Sequence, residues 1–287
     1  MKPIETHLVS LFILFSCMAY GQVNFEPDSI FNYKMTKEGD LKMKVFKPSG
    51  HNISDKSPVI IFFFGGGWTS GNTKQFYQQA RFFADSGYVA ISAEYRVRGK
   101  HKTSPFECVT DGKSAIRFLR AHANKLGIDP NKIIASGASA GGHVAACTGV
   151  IKGFDEANED LKISSIPNAM ILFNPVIDTT EKGYGIAKVG KNRKTEISPS
   201  HHVVEGIPPT LIFHGTADQT VPFENVERFT KLMNEVGNTC ELIPFKGKGH
   251  GFFNGSYFRK RKTDQIFNKT MNLSLEFLNK HNFKAVE

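Results

Sequence analysis

The chain has 287 residues, 40% of them hydrophobic and 22% charged, with a formal net charge of +9. This composition excludes a disordered chain and a repeat array, and the length suits one α/β domain with a sizeable core. Basic residues are scattered apart from the Arg-Lys-Arg-Lys run at 259–262, with no interleaved aromatic platform, so the excess charge reads as solvated surface and not as a nucleic-acid module.

The first residues form a class of their own. Leu8 to Ala19 is apolar, and Ala19-Tyr20-Gly21 fits the small-x-small pattern of signal-peptide cleavage. Residues 1–21 are therefore expected to be a secretory signal peptide, and 22–287 a single catalytic domain of a secreted or periplasmic protein. A lipoprotein anchor on Cys17 is the lesser reading, because Phe15 sits poorly in a lipobox. The stretch is short for a membrane span, and no other segment reaches about 18 uncharged apolar residues. Cys108, Cys147 and Cys240 permit at most one disulfide, and the sequence leaves open whether any pair forms.

Strands and helices then alternate. Leu41, Met43 and Val45 alternate with lysines, as in a half-exposed strand near a sheet edge. Pro58 to Phe64 is a continuous apolar run into three glycines, the pattern of a central parallel strand buried on both faces. Tyr88–Tyr95, Lys132–Gly137, Ala169–Asn174 and Thr210–Gly215 repeat the theme, and Cys240–Phe245 reads as a further strand. Ser104-Pro105-Phe106-Glu107 is a capping box with proline at the first helical position, and Ile116, Leu119, Ala123 and Leu126 continue at helical spacing. Val226, Phe229, Leu232 and Val236 mark another helix, and Phe267, Met271, Leu275 and Leu278 a last one. The pattern predicts an α/β fold, a mainly parallel central sheet with helices on both faces, whose ligands bind at the carboxyl ends of the strands.

The chemistry-bearing residues fall at those ends. Gly137, Ser139 and Gly141 spell G-x-S-x-G between a strand and a helix, where small neighbours let one hydroxyl stand exposed on a sharp turn. A serine needs a base. His250 lies in a glycine-flanked loop after a strand, whereas His143, His201, His202 and His214 are competitors with plausible packing roles. The base needs an acid, and Asp218 follows a buried strand; Asp111 and Asp178 are the alternatives. Gly66, Gly67 and Ala140 offer unhindered backbone N–H groups for an oxyanion. Trp68 and Tyr184 are candidates for stacking on a substrate, or for packing in the core. No motif calls for a metal or other cofactor.

With these residues placed, the chain resembles the α/β-hydrolases. It is similar to the esterase/lipase branch, and in particular to secreted carbohydrate esterases of the acetylxylan and feruloyl kind. The marks are Phe64–Trp68, Glu94–Arg96, Gly137–His143, Ser198–Val203, His214–Pro222 and Gly249–Phe252. The resemblance implies a Ser139–Asp218–His250 triad acting through an acyl-enzyme on an ester substrate carried by a polysaccharide. The lid segment, about 178–206, is short and polar, which implies a shallow open site. The family usually has histidine where this chain has Phe64, which puts the rigidity of the oxyanion loop in question. A prolyl-oligopeptidase-like peptidase and a non-catalytic binding protein are the alternative readings. The first usually carries a large extra domain, and the second commonly lacks a triad member.

Overall fold

The alternation of apolar strands and amphipathic helices produces one eight-stranded sheet in order β1-β2-β4-β3-β5-β6-β7-β8. The strands are β1 (Ser29–Lys34), β2 (Leu41–Phe46), β3 (Ser57–Phe63), β4 (Val89–Ala93), β5 (Ile128–Ala138), β6 (Ala169–Phe173), β7 (Thr210–Gly215) and β8 (Cys240–Phe245). β2 pairs antiparallel with both β1 and β4; every other pairing is parallel. The structure is a computed structural model and describes residues 24–260 and 263–285. The expected signal peptide, its cleavage point and Cys17 lie outside the described residues, as do residues 261–262 of the basic run.

Period-2 alternation divides each central strand between two cores. From β3, Val59, Ile61 and Phe63 join one core, and Ile60 and Phe62 join the other. The first core is covered by α2 (Pro105–Ala121), α3 (Ala140–Val150) and α4 (Phe223–Glu235), and the second by α1 (Tyr77–Asp85) and α5 (Gln265–Lys280). Ser104 and Glu107 form the expected capping box at the start of α2. β1 and α1 are the elements that the sequence pattern hides. β1 is a half-exposed edge strand, and α1 buries Gln78 and Gln79, which interrupt its apolar stripe. Cys108, Cys147 and Cys240 are buried free thiols. No helix among the described residues is long and apolar enough to cross a membrane.

The register brings the strand ends level. Phe63 pairs with Gly137, Ala138 with Phe173, and Phe173 with Phe213. The loops that start at residues 64, 139, 174 and 216 therefore leave the sheet on one edge. A cluster of rings supports that edge: Phe173 lies 5.3 Å from Phe213, 4.9 Å from Phe253 and 6.1 Å from Phe76 between ring centroids. Phe253 packs the loop that carries His250 onto the end of β6 and onto Phe76. Phe173→Ala is expected to cost about 3–5 kcal/mol of stability, through lost burial and a cavity under this edge. Urea denaturation checks it; a loss under about 1 kcal/mol would mean that the cluster is not a structural support.

Candidate active site

The turn from β5 into α3 carries Ser139 at φ 55° and ψ −121°, a strained conformation for a residue with a side chain. Its backbone is held from both sides: its N–H donates to Phe173 O at 3.0 Å, and its carbonyl accepts from the N–H groups of His143 at 2.9 Å and Val176 at 3.2 Å. A Cβ at Gly141 would lie 2.1 and 2.2 Å from the carbonyl oxygens of Phe63 and Phe64. Only glycine lets the turn approach β3 this closely. Ser139 and His250 both line a cleft of about 270 Å³, together with Gly65, Gly66, Gly67 and Tyr184.

His250 and Asp218 meet directly. His250 Nδ1 donates to Asp218 Oδ2 at 2.7 Å, which leaves Nε2 as the acceptor. Asp218 Oδ1 accepts from the N–H groups of Thr220 at 2.8 Å and Val221 at 3.0 Å. His214 Nε2 lies 3.3 Å from Oδ2 and donates to Val221 O at 3.0 Å. Burial alone would raise the Asp218 carboxyl, but hydrogen bonds from His214, His250 and Val221 outweigh it and hold the group well below the usual carboxylate range. A buried, permanently ionised aspartate is suited to orient an imidazole and to stabilise its protonated form.

The other candidates are occupied elsewhere. Asp111 is buried between Arg96 and Lys34, at 2.8 and 2.7 Å. Asp178 pairs with Arg228 and accepts from Thr180. His143 is fully buried with Nε2 donating to Ile197 O at 2.6 Å, and burial lowers its pKa from 6.5 to about 4. His201 and His202 bond to Ser198 and to the Thr195 carbonyl within the lid segment.

With Phe64 where the resemblance leads one to expect histidine, other groups brace the glycine loop. The Phe64 ring stacks on Tyr95 at 4.3 Å, and the Tyr95 hydroxyl donates to Phe64 O at 2.6 Å. Gly65 N–H donates to Gln75 Oε1 at 2.6 Å, and Lys188 Nζ donates to Gly67 O at 3.0 Å. Gly66 O accepts from Thr69 and Ser70 N–H, both at 3.1 Å, which polarises the peptide whose N–H belongs to Gly67. The N–H groups of Gly66, Gly67 and Ala140 donate to no group among the described residues. They are thus available to an oxyanion.

One candidate moves. Trp68 is 1% exposed, packed edge-on against His143 at 5.0 Å and beside Tyr184 at 5.7 Å. It is a buried wall and not a stacking surface, because its backbone turns inward at φ 57° directly after the loop. The ring that reaches the cleft is Tyr184. Lid residues 178–206 form a single helical turn, Ile186–Val189, and two short 3-10 turns, Lys191–Arg193 and Pro199–His201. Sequence reasoning missed Gln75, Asn174 and Arg259. Asn174, at φ 36°, places Nδ2 3.4 Å from His250 Nε2; a polar residue closing an apolar strand was its visible signal. Gln75 carried none.

Comparison with known proteins identifies the family of the chain. The BD-FAE family model matches residues 43–233, a span that includes Ser139 and Asp218 and ends before His250. The chain belongs to the BD-FAE family. It thereby falls in the esterase branch of the α/β-hydrolases. Among curated relatives, this BD-FAE chain is 27% identical to esterase LipC of Mycobacterium tuberculosis over 68% of its own length and 53% of LipC. It is 26% identical to an acetylxylan esterase of Xylanibacter ruminicola over 80% of its own length and 47% of that protein. The chain spans about half the length of these relatives. Among solved structures, propionate-bound Est2, an esterase of Thermogutta terrifontis, is 43% identical with a TM-score of 0.85, covering 92% of this chain and 98% of that one.

His143 supplies a pH test of this packing. Between pH 6.5 and about 4 the unfolded chain binds a proton at this histidine and the folded chain does not, so stability falls as pH drops through that window. The loss is complete below the folded pKa and is on the order of 3 kcal/mol. His143→Gln is expected to lose this component. Urea unfolding of both proteins at several pH values should show their stability difference shrinking toward pH 4; parallel curves would contradict a neutral, buried His143.

Proposed function

We propose that the protein is a secreted serine esterase that removes short acyl groups, acetyl in the first instance, from a polysaccharide. The observation that carries the reading is one cleft lined by a strained strand-to-helix serine and by a histidine held on a buried aspartate. In this reading Ser139 attacks the ester carbonyl while His250 Nε2 takes its proton. Asp218 fixes the proton-bearing Nδ1 and stabilises the imidazolium. The N–H groups of Gly66, Gly67 and Ala140 bind the oxyanion of the tetrahedral intermediate. His250 then hands its proton to the leaving alcohol, and water activated by the same base cleaves the acyl-enzyme.

The cleft volume of about 270 Å³ is small for a ligand site and favours a short acyl chain. Est2, solved with propionate bound, and the acetylxylan esterase relative support the same class. A lid segment without a long helix suits a bulky carrier, on which Tyr184 offers a ring at the cleft wall. The apolar stretch Leu8–Ala19 supports export.

Acid release from acetylated xylan and from feruloylated arabinoxylan tests the reading. Wild type is expected to release acetate, and Ser139→Ala to fall by at least about 10⁴-fold in turnover. Undiminished release by Ser139→Ala would remove the serine from the mechanism. Ferulate without acetate would overturn the short-acyl assignment.

A further inference from the structure

The basic run that starts at Arg259 reads in the sequence as solvated surface, yet its first member belongs to the cleft. Arg259 lines the same cavity as Ser139 and His250. A Cβ at Gly251 would lie 3.1–3.2 Å from three atoms of the Arg259 guanidinium. The guanidinium therefore sits against the backbone of the residue that follows His250. It is not on a loose tether. Ser256 N–H and Oγ both donate to Asp264 at 2.7 Å, and Tyr257 N–H donates to Gln78 Oε1 at 3.0 Å. Arg259 N–H then donates to Gly255 O at 3.0 Å.

The charge balance of the cleft is one-sided. Among the described residues its lining contains no aspartate or glutamate, and the ionisable groups beside Arg259 are His250 and the Tyr184 phenol. Asp218 lies behind His250 with both oxygens already bonded. Among the described residues no carboxylate pairs with Arg259: the ion pairs on neighbouring elements join Arg228 to Asp178 and Lys280 to Glu241. Arg259 is itself exposed, and a planar, always-charged fork at the rim of a cleft with no counter-ion among the described residues has the chemistry to receive a carboxylate.

We propose that Arg259 binds a carboxylate on the alcohol half of the substrate, so that the preferred esters are those of a hydroxy acid or a uronic-acid-bearing saccharide. The inference rests on the esterase reading for its orientation. His250 delivers its proton to the leaving alcohol, so that half must lie beside His250 Nε2. Arg259 borders the next residue, Gly251, while the acyl carbonyl faces Gly66 and Gly67. The same geometry adds a charge-assisted hydrogen bond to the half of the ester that departs.

The test uses 2-acetoxyacetate and its neutral isostere 2-acetoxyacetamide, which share the acyl group and differ in the carboxylate. The specificity ratio is read as kcat/KM on active protein, and as Kd by NMR titration on the Ser139→Ala protein. Comparing the ratio between proteins cancels intrinsic reactivity. The carboxylate is expected to be favoured, and Arg259→Gln to lower the ratio by about tenfold, with Lys260→Gln lowering it by less than about twofold. A ratio unchanged by Arg259→Gln, or lowered equally by Lys260→Gln, overturns the proposal. A preference instead for monomethyl succinate over dimethyl succinate overturns the alcohol-side placement. Should both acetoxy compounds resist hydrolysis while the binding ratio still depends on Arg259, the esterase reading fails and the carboxylate site stands.

Discussion

The close backbone approach between the turn at Ser139 and the end of β3 is the contact on which the rest of the site depends. The carbonyls of Phe63 and Phe64 occupy the space where a side chain at Gly141 would begin, and Gly137 is similarly closed by Gly141 O and Phe63 O. Two stretches of main chain thus touch with nothing between them. That contact fixes the distance between the serine and the glycine loop. It also leaves the first N–H of α3, like two N–H groups of the loop, without a hydrogen-bond acceptor among the described residues. Strain at Ser139 is tolerated because three backbone hydrogen bonds and a helix buried at all but Gly149 hold the turn.

Polar groups beneath the site work as a graded support. Asp218 is fully bonded and stays ionised, and His214 on β7 adds a buried imidazole to the same carboxylate oxygen. His143, one turn into α3, is kept neutral by burial and shares a wall with Trp68. Lys188 ties the lid segment to the glycine loop through Gly67 O and also donates to the Tyr184 hydroxyl at 3.1 Å. The glycine loop is thus braced by Tyr95, Gln75 and Lys188, on three separate segments.

Much of this is legible in the sequence, for physical reasons that also mark its limits. Five of the eight strands announce themselves as apolar runs because strands buried on both faces need them, and β2 by its alternation, while the edge strand β8, which carries Glu241 and is only partly buried, is fainter. β1 does not announce itself, because an edge strand needs only one apolar face. Ser139, Asp218 and His250 stand out because each follows a strand in a loop of small residues, and the structure brings Ser139 and His250 to one cleft and Asp218 to His250. Trp68 misleads because position after a glycine loop says nothing about which way a ring turns; its positive φ sends it inward. Gln75 and Arg259 are silent because no periodicity or turn signal marks a side chain that folds back over its own loop, onto Gly65 and onto Gly251.

The most direct test of the central claim is covalent labelling by a fluorophosphonate probe, read by intact mass and peptide mapping. A serine activated by a histidine on this turn predicts one adduct, on Ser139, with labelling at least about 10²-fold slower in His250→Ala. An adduct on another residue, or labelling at the same rate without His250, would contradict the account.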